Sequence, residues 1–344
     1  MSQVLPTLTV TADRNYSVEF TDSWHEVLTQ ELQGRTLLVF APEQLMKEIE
    51  SRFRPEEIVI TPDGEAAKSV ASFSRYIEEV AKRGLDRRSV LVGIGGGATT
   101  DLVGFLAATY MRGIEWIAVP TTVAGMVDAA IGGKTGINLE SGKNLAGAFY
   151  SPSRVIIDFR WLDSLSMRDI NAGLAESVKC GFIADAKILD LIEKDATANL
   201  AEIVHRSVAV KASVVSTDFR ESYQREALNY GHTLGHAIER DSNYQLRHGE
   251  AVSIGLVFAA KVSERFSGLD PQISERHSAI LNLLALSTTY KADAWHRLAE
   301  LMYLDKKRTS EKLRFVTLAK LGETQRVEVS PVELEIIYKE VIGR

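Results

Sequence analysis

Val90-Leu-Val-Gly-Ile-Gly-Gly-Gly-Ala-Thr-Thr-Asp101 decides how the first half of this chain reads. Val90–Ile94 is an apolar run without polar alternation, the mark of a strand buried on both faces. The glycines at 93 and 95–97 punctuate its end, and a helical pattern begins near Asp101. Glycines in that position let a backbone approach a diphosphate closely. The following helix N-terminus adds amide donors and a positive dipole end. The spacing is not the G-x-G-x-x-G of the common dinucleotide fingerprint, and the same glycines would also serve a plain strand-to-helix turn.

Outward from this stretch, the pattern repeats. Thr7–Phe20 alternates around Asp13-Arg14-Asn15 and reads as a hairpin. Strand-like runs lie at Thr36–Phe40, Ile58–Ile60, Trp116–Val119 and Val155–Ile157, with helical patterns at Ala66–Arg83, ended by Gly84, and at Leu102–Met111. Buried strands alternating with helices predict a parallel sheet covered on both faces. From Met167 the apolar spacing becomes helical, through Ile183–Ile192, Ile203–Val215, Val252–Val262 and Ile280–Leu284. Leu313–Leu318 and Arg326–Val329 read as a small hairpin before a last helix at Val332–Ile342. The fold class expected is α/β plus all-α, with domains 1–162 and 163–344.

Bulk properties narrow the function. A net charge of −6 is unsuited to a general nucleic-acid binder, and no apolar run approaches a membrane span. The N-terminus lacks the basic-then-apolar pattern of a secretory signal, and the single cysteine, Cys180, suits a reducing compartment. A cytoplasmic protein is expected, one that would bind any anion through a local cluster of cations.

His232, His236 and His248 fall within seventeen residues of one another. The first two are four apart in Gly231-His-Thr-Leu-Gly-His-Ala-Ile-Glu239 and share one helix face, while His248 follows a break at Asn243. Two imidazoles from one helix and a third from the next element suit a zinc-type site, for which Glu176 offers a further ligand. One of the pair could instead face the substrate. Arg225, Asn229 and His232 stand at steps of four and three, which predicts one continuous helix face with His236. Lys134 lies in Gly132-Gly-Lys-Thr-Gly136, and Lys143 with Asn144 in a turn at Gly142–Gly147, contexts that bring ammonium groups to an anion. Pro62-Asp-Gly-Glu65 reads as a turn from which Glu65 and Lys68 can reach a cofactor, and Thr121-Thr122 follows another strand end.

These motifs occur in an order that resembles the 3-dehydroquinate synthases, within the sugar phosphate cyclases. They are Gly95-Gly-Gly-Ala-Thr-Thr-Asp101, Val119-Pro-Thr-Thr122, Met126-Val-Asp128, Gly132-Gly-Lys-Thr-Gly-Ile-Asn138, Gly142-Lys-Asn-Leu-Ala-Gly-Ala-Phe149, Gly173-Leu-Ala-Glu176, Leu228–Glu239, His248-Gly-Glu250 and Asp305-Lys-Lys307. The first 55 or so residues carry little of the likeness.

The resemblance implies an N-terminal Rossmann-like domain that binds NAD, followed by a helical domain with a divalent metal, zinc or cobalt, on Glu176, His232 and His248. It puts His236 on the substrate side. Asp128, Lys134, Lys143, Asn144, Lys179, Lys211, Arg225 and Asn229 would line the active site, with Lys306 or Lys307 on phosphate. Arg112 would reach the neighbouring subunit of a homodimer. Glu65, Lys68, Gly95, Gly96, Gly97, Asp101, Thr121, Thr122, Lys134 and Lys143 would serve the cofactor. The implied reaction, in the shikimate pathway to aromatic amino acids, turns 3-deoxy-D-arabino-heptulosonate 7-phosphate into 3-dehydroquinate and phosphate. It proceeds by transient oxidation at C5, phosphate elimination, reduction and aldol closure.

Two departures from the pattern stand out: Thr99-Thr100 ahead of Asp101, and Ser164-Leu-Ser166 where Thr-Leu-Pro is usual. Rival readings are a sister cyclase whose substrate has no carboxylate, a metal-dependent polyol dehydrogenase, and a binding protein that has kept the fold. Lys211 and Arg225 argue against the sister cyclase, because a paired cation is costly when it has no anion to meet.

Overall fold

The computed structural model describes residues 5–32, 34–305 and 312–343. The chain divides into two compact units, Met1–Ser166 with Lys211–Arg220, and Met167–Val210 with Glu221–Arg344.

The first unit contains β1 (Leu8–Thr11), β2 (Asn15–Thr21), α1 (Trp24–Glu31), β3 (Leu37–Pro42), α2 (Met46–Ile49), β4 (Ile58–Thr61) and α3 (Val70–Lys82). Then come β5 (Val90–Gly95), α4 (Gly97–Thr109), β6 (Glu115–Pro120), β7 (Lys134–Leu139), β8 (Gly142–Phe149) and β9 (Arg154–Asp158). Seven strands form one sheet in the order β1-β2-β9-β6-β5-β3-β4. All its pairings are parallel except the β1–β2 hairpin. Every residue of β5 is buried, which accounts for its unbroken apolar sequence. Counted from β3, the strand order is the 2-1-3-4-5 arrangement of doubly wound folds, and it reverses between β3 and β5. Ligands in such sheets bind outside the carboxyl ends of the strands at that reversal, where the glycine run lies.

Three local expectations need correction. The helix after the glycines starts at Gly97, not near Asp101, because the amides of Thr99 and Thr100 already bond to the Gly96 carbonyl. Thr99 and Thr100 are buried there, and the Thr100 hydroxyl donates to the Gly97 carbonyl at 3.0 Å, so the unusual Thr-Thr pair is absorbed by the first turn. Ala66–Arg83 is not one helix. Gly64–Lys68 is a 3-10 turn, and Ser69 caps α3 by accepting the Ser72 amide at 3.0 Å. Finally, the glycine-flanked lysines lie on a two-stranded hairpin, β7–β8, and not in isolated turns. Its many Gly, Asn and Lys residues have low strand propensity, which hid it.

The second unit contains α5 (Met167–Ile183), α6 (Lys187–Asp195), α7 (Leu200–Thr217, whose residues from Lys211 group with the first unit), α8 (His232–Asp241) and α9 (His248–Ser267). It is completed by α10 (Pro271–Leu283), α11 (Trp295–Asp305), β10 (Leu313–Lys320), β11 (Glu323–Val329) and α12 (Pro331–Val341). The pattern Ile183–Ile192 spans two helices, because Asp185 accepts the Lys187 amide at 3.1 Å and starts α6 afresh. Apolar residues surround most of α9, which is buried from Gly249 to Ala260 and forms the centre of the unit. Among the described residues, no helix is long and apolar enough to cross a membrane.

Close backbone approaches bring α5, α8 and α9 together. A Cβ on Gly249 would stand 1.7 Å from the Ala172 carbonyl oxygen, and one on Gly255 would stand 2.0 Å from that of Gly231. No side chain fits at either place. Glycine at these positions is what lets one residue from each helix converge on a common point.

Candidate functional site

Glu176 on α5, His232 at the start of α8 and His248 at the start of α9 meet in the second unit. Glu176 Oε1 is 3.2 Å from His232 Nε2 and 3.1 Å from His248 Nε2, and its Oε2 is 2.5 Å from Lys179 Nζ. Burial alone would raise the Glu176 pKa. Lys179, His232 and His248 outweigh it and hold the carboxyl well below the usual range. His248 shows the mirror effect. Burial would lower it, but its bonds to Glu176 and Glu239 push its pKa up to about 10. His232 Nδ1 lies 3.1 Å from the Tyr230 carbonyl oxygen, which can only accept, so Nδ1 donates there and Nε2 is the nitrogen turned toward Glu176.

Two imidazole nitrogens turned toward one carboxylate oxygen make a meeting point that a cation can occupy. Ligands about 2.0–2.1 Å from a tetrahedral zinc stand roughly 3.3 Å apart, near the separations found here. The two-nitrogen, one-oxygen donor set therefore fits a divalent metal. Glu239 Oε2 sits 3.0 Å from His248 Nδ1, in the position of a carboxylate that orients a ligating imidazole.

His236, one turn along α8, has its ring centre 5.3 Å from that of His232 and 5.9 Å from that of His248. Burial first, then the charges of His232 and His248, lower its pKa to about 3, so this imidazole stays neutral. Arg225 is buried, and Asn229 donates to Glu221 at 3.0 Å. They are not on one continuous helix with the histidines: Gln224–Asn229 is a 3-10 turn, and Gly231, at φ 80°, breaks the chain before α8. The spacing was helical, but the left-handed glycine re-aims the chain.

The first unit gathers a second group of polar side chains. Lys68, only 2% exposed, lies 2.5 Å from Asp101 and also donates to Asn144. Burial outweighs Lys68 and raises the Asp101 pKa to about 6. Glu65 accepts from Asn138 at 2.7 Å and lies 3.8 Å from Lys143, while the Asn138 oxygen accepts the Asn144 amide. The Thr121 amide bonds to the Gly95 carbonyl, and the Thr122 hydroxyl accepts the Gly125 amide, closing a tight cradle at the ends of β5 and β6. The glycine run is close-packed from behind, since a Cβ on Gly97 would stand 2.8 Å from that of Ala129. Lys211 bonds to the Asp128 carboxylate and carbonyl. Lys134 is exposed at the start of β7, and Arg112 stands exposed in a left-handed backbone at φ 65°. Lys306 and Lys307 lie outside the described residues.

Sequence reasoning missed Glu239, although it stands three residues after His236, and Asn138, which ties Glu65 to the β7–β8 hairpin. Position alone gave no reason to prefer them over ordinary polar residues.

A family model described as the 3-dehydroquinate synthase N-terminal domain matches residues 58–172, and one for the C-terminal domain matches residues 173–308. The chain belongs to the 3-dehydroquinate synthase family. Among curated relatives, the 3-dehydroquinate synthase of Rhodococcus opacus is 53% identical over 290 residues, covering 82% of this chain and 78% of the relative. That of Thermobifida fusca is 52% identical over 264 residues, covering 75% and 72%. Among solved structures, 2-deoxy-scyllo-inosose synthase complexed with carbaglucose-6-phosphate, NAD+ and Co2+ superposes with a TM-score of 0.86 at 26% identity, covering 98% of this chain and all of that one. The 2-epi-5-epi-valiolone synthase from Streptomyces hygroscopicus subsp. jinggangensis, with NAD+ and Zn2+ bound, shares the fold at a TM-score of 0.84 and 23% identity, covering 97% of this chain and 98% of that one.

Proposed function

We propose that this enzyme converts 3-deoxy-D-arabino-heptulosonate 7-phosphate to 3-dehydroquinate and phosphate, using NAD and a divalent metal. The observation that carries the reading is the convergence of Glu176, His232 and His248, two imidazole nitrogens within 3.2 Å of one carboxylate oxygen. Glu176, His232 and His248 hold the metal. Zinc suits this donor set best, and cobalt accepts the same ligands. The Gly95–Gly97 run, Thr121, Thr122, Asp101, Lys68, Glu65, Lys134 and Lys143 serve NAD.

When bound, NAD accepts and returns a hydride, and the metal polarises a substrate hydroxyl. The chain's own share is positioning and charge. Lys134, Asn144, Lys179 and Asn229 hold the phosphate, and Lys211 with Arg225 holds the carboxylate. Asp128 fixes the Lys211 ammonium, and neutral His236 meets a substrate hydroxyl without adding charge. One of Lys306 and Lys307 completes the phosphate contacts. The enzyme works in the cytoplasm as a homodimer, with Arg112 extending to the neighbouring active site.

Purified protein incubated with this substrate, catalytic NAD and zinc should release phosphate stoichiometrically and form the carbocycle, without NADH build-up. Release from glucose 6-phosphate or sedoheptulose 7-phosphate instead would reassign it to a sister cyclase. NADH accumulation would indicate a dehydrogenase.

A further inference from the structure

Behind His232, on the side away from Glu176, the second unit holds a buried polar chain. Tyr230 is fully buried, and its hydroxyl oxygen lies 3.0 Å from His277 Nε2 on α10. His277 is itself inaccessible. Its ring stacks on Phe182 with centroids 3.4 Å apart, and its Nδ1 lies 2.8 Å from the Ile273 carbonyl oxygen. A carbonyl only accepts, so Nδ1 carries the hydrogen and Nε2 of the neutral ring receives the phenol's proton. Burial lowers the His277 pKa to about 3, in keeping with that tautomer.

The backbone of Tyr230 faces the other way. Its carbonyl accepts the Nδ1 hydrogen of His232, and the turn that aims it depends on the left-handed Gly231 that follows. A phenylalanine would fill the same apolar space without needing a partner. The hydroxyl instead anchors the ring to α10, and through the ring fixes the peptide whose carbonyl sets the His232 tautomer.

We infer that Tyr230 and His277 are positioning residues for His232: the His277–Tyr230 hydrogen bond holds the Tyr230 carbonyl on Nδ1 and so keeps Nε2 turned toward Glu176. This rests on the metal role proposed for His232, and it assigns a task to a histidine remote from the substrate.

Co2+ titration of the metal-free full-length chain, followed by visible absorption, separates the two ideas. If the wild-type chain takes up no Co2+, or Glu176→Gln binds it equally well, the metal reading itself fails. With wild-type binding intact, Tyr230→Phe should weaken Co2+ affinity by about tenfold and alter the ligand-field spectrum, the usual scale for losing an outer partner of a ligating histidine. The single variant His277→Gln, which can still accept from the Tyr230 phenol and donate to Ile273, should keep most of the wild-type affinity. The double variant Y230F/H277F leaves no polar atom unmet, so its melting temperature should return toward wild type while Co2+ affinity stays low. If Y230F and the double variant both bind Co2+ within about twofold of wild type with an unchanged spectrum, the pair is structural only and the inference is overturned. Should Y230F fail to fold, the double variant makes the same comparison.

Discussion

Glu176 Oε1 lies 3.1 Å from His248 Nε2, on a carboxylate that is 1% exposed. Two helices far apart in sequence are thus joined at one oxygen. Glu176→Gln keeps the shape and removes the charge that collects the two imidazoles. Metal content measured after dialysis should fall to near zero, and turnover by at least about a hundredfold, with the fold retained. Full metal occupancy in this variant would remove Glu176 from the ligand set.

Metal uptake should release a proton. Glu176 and Glu239 raise the His248 pKa from 6.5 to about 10, so at neutral pH the metal-free ring is protonated and the metal must displace that proton. Apparent affinity should rise about tenfold per pH unit between roughly pH 7 and 9. Calorimetry in buffers of different ionisation enthalpy counts the protons released, and a count of zero would show His248 already neutral.

The same pair shapes the stability of the metal-free protein. His248 has a folded-state pKa above its unfolded value, so its contribution is fully present below about pH 6.5 and is lost as pH rises through about 10. Glu176 has a lowered pKa, so its contribution is present above about pH 4.5 and is lost on further acidification. Thermal melts of chelated protein should therefore show this pair's stabilisation greatest between these limits. Melting temperatures rising steadily from pH 7 to 10 would contradict the assignment.

Lys68→Met should strand Asp101 beside an apolar neighbour. Breaking one half of a buried pair costs about 3 kcal/mol, and removing both halves costs less. The K68M/D101N double variant should thus melt closer to wild type than K68M alone, while both lose NAD affinity in a fluorescence titration. Normal NAD binding by the double variant would separate this pair from the cofactor site.

Gly255→Ala should push α8 from α9, since the new methyl meets the Gly231 carbonyl at 2.0 Å. Overpacking of this kind costs about 1–3 kcal/mol. Because His232 and His248 begin these two helices, metal affinity should fall together with the melting temperature. A variant less stable but normal in metal affinity would show that the two helix starts tolerate the shift.

Much of this was legible in the residues. β5 announced itself as an unbroken apolar run because it is buried on both faces. His232 and His236 declared a shared helix face through their spacing, and α8 carries both. The continuous face proposed from Arg225 to His236 failed for a reason that spacing cannot carry: Tyr230 and Gly231 turn the backbone between two helical segments. The β7–β8 hairpin stayed hidden because its glycines, Gly136 and Gly147, are chosen for close backbone approach and not for strand propensity. Glu239 and His277 were given no function from sequence because a lone acid or histidine on a helix is usually just solvated or packed; only their partners give them meaning.

The division of the chain into two units carries a practical consequence. Lys211–Arg220 returns to the first unit after the second has begun, and supplies the ammonium that Asp128 holds. A gene cut once at residue 166 would yield a front half missing its own lysine and a back half carrying ten residues that belong elsewhere. Fragment exchange between homologues, or mixing of separately expressed halves, should respect four segments and three junctions rather than one.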